Sequence, residues 1–152
     1  FLVVWLIYRI ISSTKIDFKK EKGSKIPAVK IKELMGLDLS EDSLPTDIHQ
    51  EVSKLIQAEK YREALSLLYR ATLFDFVNNN KVSLKKSYTE NDCLDAVRQQ
   101  VETGHKTYFE KLTIAWINLA YGHTPPLVEQ LITFNMEWQQ LFAVNSDDEG
   151  LS

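Results

Sequence analysis

The sequence predicts an all-α fold: a five-helix, bundle-like domain preceded by the end of a transmembrane helix and a linker. Three observations lead there. Between Tyr61 and Val77 apolar residues recur at Tyr61, Ala64, Leu65, Leu68, Thr72 and Phe76, the i, i+3, i+4, i+7 spacing of a helix. Leu67, Tyr69, Ala71, Leu73 and Phe74 make the same stretch apolar on its other sides, so it must be enclosed by further helices. Finally, no segment alternates apolar and polar residues convincingly enough to be read as a strand.

Taken in order, the chain divides into residues 1–12 (end of a transmembrane helix), 13–43 (a basic, then acidic linker), 44–144 (the helical domain) and 145–152 (a disordered tail). Phe1 to Ile11 is apolar apart from Arg9, too short to span a bilayer alone, and lacks an initiating Met. It reads as the final turns of a longer helix. Trp5, Tyr8 and Arg9 stand where interfacial residues belong, and Lys15, Lys19, Lys20, Lys22 and Lys25 follow. A basic flank of this kind marks the cytoplasmic side. From Arg9 to Lys32 eight basic residues face Asp17 and Glu21, a balance of +6, whereas from Glu33 onward the balance is −9. The lysines either lie against anionic lipid or form a solvated linker. Ile26 to Met35 is expected to form a short extended piece and a helical turn before Gly36.

The first helix of the domain starts after Pro45 with Thr46 or Asp47 as N-cap, and carries the stripe Ile48, Val52, Leu55, Ile56. Only Ala58 to Lys60 separates it from the central helix, so the two lie antiparallel and in contact. Asn78, Asn79 and Asn80 end the central helix, Asn being tolerant of the left-handed C-cap conformation. Thr89 and Asp92 form a capping box with a shorter acid than usual. The helix they open turns Cys93, Leu94, Val97 and Val101 inward and is broken at Gly104. Tyr108, Leu112, Ala115, Trp116 and Leu119 mark the next, closed by Gly122. Thr124, Pro125 and Pro126 start the last, whose stripe is Leu127, Leu131, Phe134, Trp138 and Phe142.

Four of these segments also resemble a known family. The run from Tyr61 to Leu73 (YREALSLLYRATL), then Thr89-x-x-Asp92, Phe109-x-x-Leu112-Thr113 and Ala120-Tyr121-Gly122 with prolines after it, are similar to the bacterial domain-of-unknown-function family 4129. The likeness covers roughly Ile56 to Phe142 and departs from the family pattern at Ser66 and at Asp92-Cys93. It implies a domain on the cytoplasmic side of a bacterial inner membrane, with no established reaction. Family members stand beside MoxR-type AAA+ ATPases and von Willebrand A-domain proteins, or form the C-terminal part of transglutaminase-like membrane proteins. Two expectations follow. One is a membrane-tethered protein-interaction module; the alternative is a non-catalytic regulatory domain of a multi-span transglutaminase-like membrane protein. The stretch from Tyr61 also resembles half of a tetratricopeptide repeat, but 34 residues on, at Asp95, the pattern does not recur.

Chemistry-bearing patterns are sparse. His49, His105 and His123 lie in separate segments and do not form a metal-ligand pair. Cys93 with His105 would make a nucleophile and base only if Cys93 left the inward stripe, where it behaves as a small hydrophobe. The glycines are isolated stops, not a phosphate-cradling loop, and Trp5, Trp116 and Trp138 read as core and interface mass. The acidic domain is a poor match for nucleic acid. No cofactor, metal or small-molecule substrate is therefore expected, and no catalytic residue. The structural or interaction candidates are Tyr69, Arg70, Asp92 and Tyr121. Arg70, on the most buried helix, either pairs with Asp92 or Glu90 or reaches its charge out to solvent.

Overall fold

The computed structural model describes residues 33–80 and 82–143. Phe1 to Ile11 and the lysine flank lie outside the described residues, and among those residues no helix is long and apolar enough to cross a membrane. The described fold is all-α apart from a two-stranded hairpin. In order come β1 (Glu33–Leu34), β2 (Leu37–Asp38), a 3-10 turn (Glu41–Ser43), α1 (Ile48–Gln57), α2 (Tyr61–Asn78), α3 (Glu90–Gln100), α4 (Thr103–Ala120) and α5 (Val128–Phe142).

Folded structure reaches back before Leu44, the predicted start of the domain. Glu33 pairs with Asp38 and Leu34 with Leu37 in an antiparallel ribbon. The turn between them places Met35 at φ 53° and Gly36 at φ 73°, both positive as a two-residue hairpin turn requires. Of the stretch Ile26 to Met35, residues 26–32 lie outside the described residues, and where a helical turn is expected before Gly36 the chain forms a hairpin. Its purpose is burial: Leu34 is 1 % and Leu39 3 % exposed in the common core. Asp38 accepts the amide of Ser40 at 2.8 Å and its hydroxyl at 2.6 Å, and these bonds hold its carboxyl below the usual range.

Helix α1 begins at Asp47, whose carboxylate accepts the Gln50 amide at 2.9 Å. It ends in a Schellman motif. The Lys60 amide donates to Leu55 O and the Glu59 amide to Ile56 O, with Glu59 in the left-handed region at φ 58°. This tight exit turns the chain straight into α2. The central helix packs against α1, α4 and α5, while α3 joins the bundle chiefly through α4. Along α2 the residues from Ala64 to Phe76 are buried except Ser66, Arg70 and Phe74, as the apolar pattern requires.

Tyr69 of α2 is stacked between Phe109 and Trp116 of α4, with ring centroids 5.6 and 5.5 Å away. Phe76 meets Phe109 edge-on at 5.2 Å and Phe142 of α5 at 5.6 Å. Polar bonds then set the helix registers. The buried Asn135 of α5 donates to His49 O and Ser53 Oγ of α1, at 3.1 and 3.0 Å. Tyr108 of α4 donates to Phe134 O of α5 at 3.0 Å.

The structure corrects several helix ends. Gly104 does not break α3; it lies in the first turn of α4, after α3 has closed at Val101. The residue in the left-handed region after α4 is His123, at φ 52°, not Gly122. Gly122 is needed for space, since a Cβ there would stand 2.7 Å from Asn118 O. Helix α5 starts after the two prolines with Leu127 as N-cap, so Leu127 lies outside the helix and is 72 % exposed rather than part of the stripe. No asparagine after α2 takes a left-handed conformation; Asn79 stays in the right-handed region.

Two substitutions test this arrangement. Leu68→Ala, at a fully buried position of α2, is expected to cost about 2–5 kcal/mol in a denaturant titration, and a cost under about 1 would place the helix outside the core. Glu59→Gly relieves a left-handed non-glycine residue and should stabilise by about 0.5–1 kcal/mol after allowing for a freer unfolded chain. A lower melting temperature would contradict the strain.

Candidate functional site

The sequence-derived candidates do not converge. Tyr69 is a core residue whose ring is enclosed by the stack, and burial pushes its hydroxyl pKa far up. Asp92 is committed to its helix end. It accepts the Thr89 amide at 2.9 Å and hydroxyl at 2.8 Å while the Asp92 amide returns a bond to Thr89 Oγ1 at 3.3 Å. The reciprocal box is complete despite the shorter acid, and it holds the Asp92 carboxyl below its usual range. Tyr121 stands at the end of α4, 67 % exposed, and its hydroxyl donates to Glu90 Oε1 at 3.0 Å. That bond ties the end of α4 to the start of α3 and raises the tyrosine pKa.

Arg70 meets neither Asp92 nor Glu90. Asp92 is bonded to Thr89, Glu90 accepts from Tyr121, and among the described residues Arg70 forms no ion pair within 4.0 Å. The guanidinium instead acts on Asp38 of the hairpin, helping to lower that carboxyl, and its buried Nε has no hydrogen-bond partner among the described residues. The physical reason is the direction of the side chain: Tyr69 faces α4, so the next residue along the helix turns away from it. Trp5, Tyr8 and Arg9 lie outside the described residues.

Cys93 is fully buried, and burial pushes its thiol up to about 12, with Asp92 and Glu90 adding to the shift. A thiol held so far from ionisation is a poor nucleophile. His105, its imagined base, is engaged elsewhere: its Nε2–H donates to Leu141 O at 3.1 Å and its ring meets Phe142 edge-on. His49 donates through Nδ1 to Asn135 O at 3.3 Å. Among the described residues no group of three or more His, Cys, Asp or Glu could hold a metal ion.

What the sequence reading missed is Asp75. It lies at the end of α2, only 6 % exposed. Its carboxylate accepts the side-chain amides of Asn79 and, at 2.8 Å, Asn80, while its carbonyl accepts both backbone amides, at 2.8 and 3.2 Å. The asparagines thus end α2 by clamping an acid. The signal was an acid followed four positions on by an amide, the spacing that places two side chains on one side of a helix end. Burial raises the Asp75 pKa, opposed by Asn79, His105 and Asn80.

Asp75 lines a cleft of about 370 Å³. Its walls come from three places: Glu41, Leu44, Pro45, Thr46 and Ile48 on the way into α1; Ala71, Phe74, Asp75 and Asn79 of α2; and Trp138, Phe142 and Ala143 at the end of α5. Trp138 and Phe142 stack at 5.7 Å with ring planes 23° apart. Two acidic and three aromatic residues line one opening, and no lysine, arginine or histidine is among its described walls. The arrangement suits a cation with apolar flanks.

Because the folded-state pKa of Asp75 is raised, folding favours its protonated form. The stability this group contributes is complete below the unfolded value and is lost as pH rises through the folded one. Asp75→Asn should therefore flatten the pH dependence of unfolding free energy above about pH 4, read by denaturant titration. Parallel curves for the two proteins would refute the assignment. Comparison of the chain with protein-family models, with curated proteins and with solved structures returns no match.

Proposed function

We propose that this chain is a membrane-tethered, cytoplasmic helical module that acts by binding another protein. The observation that carries the reading is the apolar surface on and before α5. Ile132 and Met136, 45 % and 54 % exposed, are four residues apart on one face, and Leu127 is exposed just ahead of the helix. Ile114 and Tyr121 are exposed as well. Ile132 and Met136 also line one groove together, and neighbouring large apolar side chains that stay in water are a recurring sign of a protein contact surface. The tether is supported by the apolar Phe1 to Ile11 followed by its lysines, a pattern that favours the cytoplasm for what comes next. The resemblance noted above would make an AAA+ ATPase of the MoxR type, or a von Willebrand A-domain protein, the partner to look for first.

The test is capture of the natural protein with its neighbours from membranes, comparing the parent with Ile132→Glu plus Met136→Glu. The pair is expected to lose the partner while stability changes little, since exposed substitutions usually stay within about 0.5 kcal/mol each. Retention of the same partner by the double variant, or recovery of the natural protein free of membranes, would overturn the reading.

A further inference from the structure

We propose that the cleft between the lead-in to α1, α2 and α5 receives a lysine or arginine side chain from a basic segment of a partner protein. The aliphatic stem would lie against Phe74, Trp138 and Phe142 and the charged end toward Asp75 and Glu41. This inference rests on the reading that the domain works by binding protein, and adds a place and a chemistry to it.

Charge complementarity carries the argument. Two acids lie on walls that are part polar and part apolar, and the apolar part, from Phe74, Trp138 and Phe142, concentrates their negative field in the opening. From Glu33 onward the chain carries a balance of −9, so the surrounding field has the same sign. Aromatic faces add to the attraction, because the ring quadrupole draws an ammonium or guanidinium. Lysine and arginine combine such a charge with a methylene stem that suits apolar walls. An acidic segment would meet two like charges, and the one basic group that acts on Asp75, His105, is not among the described walls. The Asp75 carboxylate has capacity left, since each of its oxygens accepts one asparagine amide and can accept a second donor. At about 370 Å³ the cleft admits one long side chain with its flanking residues and lies at the low end of the range for a drug-sized ligand.

The experiment uses the full chain, ¹⁵N-labelled, in zwitterionic detergent. It is titrated with the end-blocked tripeptide leucine-lysine-leucine and with its neutral counterpart carrying norleucine in place of lysine. The lysine peptide should shift the Trp138 indole and Asn79 side-chain amide signals saturably, and the norleucine peptide should bind at least about tenfold more weakly. Glu41→Gln, an exposed position with no part in the core, should weaken the lysine peptide about threefold. Equal binding of the two peptides, no saturable shift, or shifts confined to the outer face of α5 would overturn the proposal. If the peptide result fails while the membrane partner is still captured through Ile132 and Met136, the protein-binding reading stands and only this placement falls.

Discussion

Between Ala64 and Phe76 the central helix buries ten side chains, spread around its circumference rather than along one stripe. No single neighbour can cover them, so α1, α4 and α5 each take a side and the hairpin leucines cover part of what remains. The Tyr69 ring, held between Phe109 and Trp116, joins α2 to α4. Phe76 carries the contact on to Phe142 and hence to α5. The other helices are arranged by what this one must hide.

Such a core has polar costs. Tyr69 Oη and Thr113 Oγ1 are buried with only each other for company, and Trp116 Nε1 is buried without a hydrogen-bond partner among the described residues. A buried polar group left without a partner costs roughly 1–3 kcal/mol. Burying a tyrosine ring of about 150–250 Å² gives back roughly 4–6 kcal/mol at 25 cal/mol per Å², before the stacking contribution. The ring therefore stays inside. Where the group would be a charge, the fold adopts a different solution: Asp75 receives two amide donors from Asn79 and Asn80, which also end the helix.

Position decides what each polar residue can do. Asp92 and Thr89 satisfy each other at a helix end. Asp75 and Glu41, by contrast, face a shared cleft beside the indole of Trp138. The cleft exists because the chain crosses from the hairpin into α1 over the ends of α2 and α5, and residues distant in sequence become its walls. The exposed apolar residues of α5 form a separate surface, since Ile132 and Met136 line the shallow groove against α1 with His49 and Ile56. The domain thus offers two chemically different faces.

The all-α class, the central place of α2 and the Thr89–Asp92 cap were legible from the residues alone. Each rests on local spacing or on the bare excess of apolar surface, which one stretch of chain carries by itself. Cys93 on an inward stripe was legible for the same reason. The hairpin was not, because Met35-Gly36 is not a usual turn pair and its positive φ values are repaid only by burying Leu34 and Leu39 against helices far along the chain. Nor was the direction Arg70 takes, since which way a side chain leaves a helix depends on what has already packed on the opposite side. The sequence by itself determined which helices form and which of them is hidden. Only the tertiary structure decided which acids share a cleft, because that depends on three segments meeting in space, and spacing along a chain does not encode their crossing.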